Sequence, residues 1–118
     1  ITGAGAGIGR GLALHFQGLG WRVAALDRDR DALAELAGLL PRARCLTAVC
    51  DVGRESQVAR AFDRIDTWLS GAPLRCLVNN AGLADPYSGP LDTMQLAAWR
   101  EWIDASLTAA FLCSRAAL

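Results

Sequence analysis

Short apolar runs, each closing on a glycine or a polar side chain, alternate along this chain with stretches of helical periodicity. That alternation constrains the fold more than any other feature. The first run is a stub, Ile1-Thr2, which opens directly into a turn carrying Gly3, Gly5, Gly7 and Gly9. Ile8, Leu12, Phe16 and Leu19 then recur at helical spacing, which predicts one apolar helix face, ended by Gly18 and Gly20. Trp21 to Leu26 reads as a buried strand closing on Asp27. Asp29 is placed to cap a second helix whose stripe is Leu33, Leu36 and Leu40, stopped by Pro41. Cys45 to Cys50 is the next strand, closing on Asp51-Val52-Gly53. Val58, Phe62, Ile65 and Leu69 predict a third helix, ended by Gly71 and Pro73. Arg75 to Val78 reads as a strand closing on Asn79-Asn80-Ala81-Gly82. Leu83 to Pro90 is a loop, and a last helix from Leu96 places Trp99, Ile103, Leu107 and Phe111 four apart.

Strands that read as continuous apolar runs need cover on both faces, as parallel sheets do. The expectation is therefore α/β: a doubly wound parallel sheet with helices on both faces, of which strands 1–4 are present. Residues 1–118 are read as one domain portion, its first strand truncated and its C-terminal catalytic half absent. Hydrophobic residues make up 53% of the chain, which excludes disorder and leaves apolar surface for a partner. Twelve basic residues balance twelve acidic ones, so nothing favours a nucleic-acid or membrane-surface partner. No apolar run approaches the ~18 residues of a membrane span. All the basic residues are arginine; without lysine, a P-loop is excluded. Cys45, Cys50, Cys76 and Cys113 show no CxxC pairing and His15 stands alone, so no metal site is expected. The cysteines read as small buried thiols in a reducing, cytoplasmic compartment, and His15 as a surface residue.

The opening turn sits between a strand and a helix N-terminus, where backbone N–H groups and the helix dipole favour an anion. Glycines let such a turn bend sharply and let a pyrophosphate approach without meeting a Cβ. A strict GxGxxG is absent, and a glycine cluster alone is also what a plain turn requires. Asp27 adds to it: an acid at the end of the second strand lies near the ~20-residue offset at which a carboxylate meets an adenosine ribose. It would also repel a 2′-phosphate, since two unit charges ~4 Å apart at an effective dielectric near 20 cost about 4 kcal/mol. Asp27 thus argues for NAD over NADP, while a guanidinium at Arg28 could greet a 2′-phosphate. The other reading of Asp27 to Asp31 is a solvated charge run with a helix cap, which suits Asp29 and Asp31 best. Asp51 and Val52 end the third strand, where a carboxylate can accept an adenine amino hydrogen and a backbone N–H can reach a ring nitrogen. Asp51 as a helix cap and Asn79-Asn80 as turn formers are the structural alternatives.

Taken together, Thr2-Gly3-x-x-x-Gly7-Ile8-Gly9, the strand-end Asp27, Asp51-Val52 and Asn79-Asn80-Ala81-Gly82 resemble the short-chain dehydrogenase/reductase family, in its order and roughly its spacing. The likeness covers the whole chain and about the N-terminal half of a typical member. It implies a Rossmann-type fold and NAD(P)-dependent hydride transfer between a nicotinamide and a small-molecule alcohol or carbonyl. By that resemblance Gly3, Gly7, Ile8 and Gly9 line the pyrophosphate, Asp27 with Arg28 meets the ribose, and Asp51 and Val52 meet the adenine. Asn79, Asn80, Ala81 and Gly82 support the sheet and the cofactor's middle. The family's catalytic serine and Tyr-x-x-x-Lys pair have no match here: there is no lysine, and Tyr87 comes too early. Ser106 stands where the family's last-helix asparagine holds a relay water, so it is either a functional substitute or a neutral helix residue. Trp99 and Trp102 are expected to pack on the sheet or on a second copy in a homo-oligomer. Two other readings are an S-adenosylmethionine methyltransferase, which Thr2 and the asparagine pair oppose, and a catalytically silent nucleotide-binding or assembly subunit. The 118 residues alone are expected to show no turnover, for want of the acid/base pair.

Overall fold

A computed structural model of the chain describes residues 1–83 and 89–118. Helix α1 spans Gly7–Gly18, strand β1 Val23–Asp27, helix α2 Arg30–Leu39 and strand β2 Cys45–Val49. Helix α3 spans Glu55–Leu69, and the last helical stretch is α4, Leu96–Ile103, continued through a π turn at Asp104–Thr108 into α5, Ala109–Ala116. β1 and β2 pair in parallel, Val23 opposite Cys45 and Asp27 opposite Val49. Ile1 and Thr2 extend the sheet on the far side of β1: the Leu26 N–H donates to Ile1 O at 2.9 Å and the Ala4 N–H to Leu26 O at 3.0 Å. Beyond the stub lies Val78, whose carbonyl accepts the Thr2 N–H at 3.0 Å. The chain thus runs from the stub through β1 to β2, then returns through α3 to the other side of the stub. Strand order reverses there, which is where open α/β sheets place their ligands.

Alternation along β1 divides the core in two, as a sheet covered on both faces requires. Val23 and Ala25 face a cluster with Ala13 of α1 and Leu33, Leu36 and Leu40 of the α2 region. Leu26 faces the other cluster, with Val58, Phe62 and Ile65 of α3 and Ala109, Leu112 and Cys113 of α5. The stripes read for α2 and α3 are the buried ones, and Asp29 caps α2 by accepting the N–H groups of Asp31 and Ala32, each at 3.0 Å. Arg22 joins the start of β1 to the end of α3: it donates to the Leu69 and Trp68 carbonyls and stacks on the Trp68 ring. There it satisfies carbonyls that the helix end leaves without intrahelical donors.

Several local expectations are corrected. On α1 the buried residues are Gly9 and Ala13, while Ile8 and Leu19 are exposed. The helix lies so close to the turn below it that only the smallest residues fit the contact. Arg75 to Val78 forms no ladder, because its neighbour is a two-residue stub that supplies one backbone bond, at Val78. Cys76, on that segment, is exposed instead of buried. On the last helix Ala109, Leu112 and Cys113 meet the sheet and Leu107 and Phe111 are exposed; Trp99 is exposed as well, which sets aside the sheet and leaves the second copy of its two expected partners. The helix is apolar on both sides, so periodicity did not distinguish them. Tyr87 lies outside the described residues.

Two outcomes test this packing. Leu36 is fully buried between α2 and the sheet, and Leu36→Ala is expected to cost about 3 kcal/mol in urea denaturation. Cys50 is also buried, and desolvation, reinforced by the neighbouring Cys113 and Asp51, pushes its thiol up to about 11. Above about pH 9 the unfolded chain releases this proton while the folded chain retains it, so stability should fall as pH rises towards 11. Cys50→Ala should flatten that alkaline slope in pH-dependent denaturation.

Candidate functional site

The carboxyl ends of the strands open into one cleft of about 520 Å³, within the range of small-molecule sites. Its floor is the turn before α1. Gly3 has φ +64°, and a Cβ there would stand 2.9 Å from the Ala81 Cα, so both conformation and space demand glycine. Gly7, at φ +50°, opens on free space. Gly9 lies under the turn, where a side chain would collide with the Gly3 carbonyl and the Asn80 amide. Among the described residues no side chain caps α1, and no acid stands in its first turn, so the helix presents its N-terminal N–H groups and positive dipole end to the cleft.

A single hydroxyl ties this turn to the facing segment. Thr2, 2% exposed, accepts the N–H groups of Asn80 and Ala81 at 3.0 Å each and donates to Val78 O at 3.4 Å. The Asn80 side chain returns the contact, donating to Thr2 O at 3.0 Å and Gly3 O at 3.3 Å. Asn80 is thereby committed to the scaffold. Asn79 turns away from the cleft and donates to Ser114 Oγ at 3.1 Å, which anchors the strand end to α5.

Asp27 forms the acidic wall. Its Oδ2 accepts the Gly5 N–H at 2.8 Å and its Oδ1 the Asp29 N–H at 2.9 Å. A carboxylate has roughly four acceptor directions, so about two remain for a ligand. Asp51 is more heavily engaged: Oδ1 accepts the Gly53 N–H at 3.1 Å and Oδ2 pairs with Arg54 Nε at 3.0 Å. Its side chain organises the turn into α3, close to the helix-cap alternative. Cys50 lines the cleft, where burial pushes its thiol up to about 11 and so disfavours the thiolate.

Of the residues singled out from sequence, Gly3, Gly7, Ile8, Asp27, Arg28, Asp51, Val52, Asn80, Ala81 and Gly82 line this cleft. Gly9, Asn79 and Ser106 do not; the first two buttress it, and Ser106 is exposed on the π turn. Ala105, one residue earlier, lines the cleft instead, where the π turn packs against Gly53. Gly5 and Ala32 were missed as site residues. Gly5 was visible as a glycine inside the turn; Ala105 carried no signal, since no glycine or proline marks the π turn. Among the described residues no group of three or more His, Cys, Asp or Glu could hold a metal, and no helix is long and apolar enough to cross a membrane.

Residues 1–118 match the sequence profile of a family described as short chain dehydrogenase. The chain is 31% identical, over 99% of its length, to an Arabidopsis thaliana protein named NADPH-dependent aldehyde reductase 2, chloroplastic, of which it covers 47%. Among solved structures it resembles a 3-ketoacyl-ACP reductase from Sinorhizobium meliloti 1021, with a TM-score of 0.89, 33% identity, and 99% and 46% of the two chains covered. A 3-ketoacyl-(acyl-carrier-protein) reductase from Brucella melitensis, complexed with NADH, gives a TM-score of 0.88 at 26% identity, with 97% and 46% covered. The chain spans about half the length of the proteins it matches.

The Thr2 knot yields a stability test. Thr2→Val leaves two half-buried backbone N–H groups without their acceptor, and should cost about 1–3 kcal/mol in urea denaturation. Thr2→Ser, which keeps the hydroxyl, should retain most of the stability.

Proposed function

The chain belongs to the short-chain dehydrogenase family, and from that premise we propose that it is the dinucleotide-binding portion of an NAD-dependent oxidoreductase acting on a small-molecule alcohol or carbonyl. The observation that supports the reading most is convergence: the N-terminal end of α1, the acid of β1 and the turn after β2 border one cleft where the stub lies between β1 and Val78 and strand order reverses. The turn also suits that group: Gly7 holds a positive φ of 50°, which side chains rarely adopt, and open space lies beside it at the start of α1.

On this reading Gly3, Gly7 and Ile8 offer backbone and helix dipole to the pyrophosphate, with Gly9 supporting them from below. Asp27 accepts hydrogen bonds from the ribose hydroxyls through the acceptor directions its backbone bonds leave. Asp51 holds the turn that aims the Val52 backbone at the adenine, and Ala81 and Gly82 allow flat contact with the middle of the dinucleotide. When bound, the nicotinamide supplies or accepts the hydride. The proton that must accompany the hydride needs an acid/base group with a tuned pKa. The 118 residues contain no lysine to tune one, so they are proposed to bind cofactor without turning over substrate.

Asp27 favours NAD over NADP by repelling a 2′-phosphate, against which exposed Arg28 works. The relative from Arabidopsis is named NADPH-dependent and the Brucella structure holds NADH, so family likeness does not decide between the two. Four free cysteines suit a reducing, cytoplasmic compartment. Exposed Trp99, Leu107 and Phe111 suit a second copy in a homo-oligomer. A catalytically silent nucleotide-binding subunit is the second reading, favoured by Ser106, which lies outside the cleft where a relay residue belongs.

Calorimetric titration with each dinucleotide tests the assignment. Asp27→Ala should weaken NAD⁺ about tenfold, the loss of one charge-assisted bond, while NADP⁺ binding holds or tightens. Equal losses for the two would reject the ribose role.

A further inference from the structure

Among the glycines of the first turn, Gly5 stands apart. Gly3 and Gly7 occupy positive φ and Gly9 is packed under the turn, but Gly5 has an ordinary backbone and falls at an unspecified place in Thr2-Gly3-x-x-x-Gly7-Ile8-Gly9. It is buried, and its N–H donates to Asp27 Oδ2 at 2.8 Å. A Cβ added to it would lie 2.8 Å from the Ala32 Cβ, 2.9 Å from Asp27 Oδ2 and 3.1 Å from Asp27 Cγ.

Of these neighbours, one cannot give way and the other can. Ala32 sits in the first turn of α2, fixed by the Asp29 cap and by buried Leu33 and Leu36 behind it. The Asp27 carboxylate is the end of a side chain, held among the described residues by one bond at each oxygen, from Gly5 and from Asp29. Those two donors belong to different turns, so together they fix the rotation of the carboxylate as well as its position. Losing the Gly5 bond frees it to swing on the Asp29 bond alone.

We propose that Gly5 is the positioning residue for Asp27, and that the absence of a side chain at this position sets how strongly the cleft distinguishes a free ribose 2′-hydroxyl from a 2′-phosphate. The inference rests on the reading of Asp27 given under Proposed function. Its consequence is specific: a methyl group at position 5 displaces the carboxylate, so ribose acceptance and phosphate repulsion weaken together. A dinucleotide that gains from the first loses; one that suffers from the second gains.

Equilibrium binding of NAD⁺ and NADP⁺, measured separately by calorimetry on the full chain, tests this with Gly5→Ala and with Asp27→Ala as reference. Gly5→Ala is expected to weaken NAD⁺ about tenfold, with NADP⁺ unchanged or tighter, so that the ratio of the two constants moves towards that of Asp27→Ala. Equal weakening of both, as general loosening of the turn would give, or an unchanged ratio, overturns the proposal. If alanine at position 5 prevents folding, Gly5→Ala combined with Ala32→Gly removes the tightest contact and is read by the same ratio. If Asp27→Ala leaves the ratio unchanged, the ribose assignment fails; if it shifts the ratio and Gly5→Ala does not, only the role of Gly5 fails.

Discussion

The cleft exists because two pieces of backbone approach more closely than side chains allow. Gly3 lies against Ala81, and Gly9 lies beneath Gly3. What holds them at that distance is the Thr2 hydroxyl, which satisfies two N–H groups of a segment that has no ladder of its own. Leaving these two half-buried donors unpaired would cost about 1–3 kcal/mol together, so the knot decides where residues 78–82 run as well as how stable they are. Asn80 closes the same knot from the other side. The wall formed by Ala81 and Gly82, the seating of α1 and the openness at Gly7 all follow from this contact.

Where one face of an element was apolar, the sequence was a sufficient guide. Leu33 and Leu36 in α2, and Val58, Phe62 and Ile65 in α3, are buried as their spacing implies, because the opposite faces carry charges. In α1 the reading picked the largest residues, whereas a helix packed tightly on a glycine turn buries its smallest, Gly9 and Ala13. Strand ends were legible too, since polar and glycine residues mark them. The division of labour between Asn79 and Asn80 was not: two identical neighbours on an extended segment point opposite ways, and only the tertiary partners, Ser114 for one and Thr2 for the other, tell them apart.

The last helix posed a different problem. Its sequence is apolar around most of its circumference, so two faces compete for the sheet and spacing cannot rank them. Packing chose Ala109, Leu112 and Cys113, which join α3 and the sheet in one cluster, and left Trp99, Leu107 and Phe111 outside. The π turn between α4 and α5 adds a residue to the winding and changes which side faces inward on either side of it. That shift brings Ala105 to the cleft and leaves Ser106 beside it, exposed. A position matched by alignment to a family motif is therefore not placed by that match alone; the winding of the helix decides what the side chain can reach.

Electrostatically the cleft is divided. Uncapped N–H groups of α1 make one part of it positive, and Asp27 makes another part negative. These two parts are not independent, because the acid is bonded to the glycine turn itself through Gly5. A displacement of the turn would move both the anion-attracting helix end and the carboxylate, so a ligand that carries a phosphate and a diol in fixed relation meets a site whose two halves keep their own fixed relation. Such preorganisation limits the ordering that binding must impose. It also explains why a turn so rich in glycine need not be loose: its freedom is used up by the Thr2 knot on one side and the Asp27 carboxylate on the other.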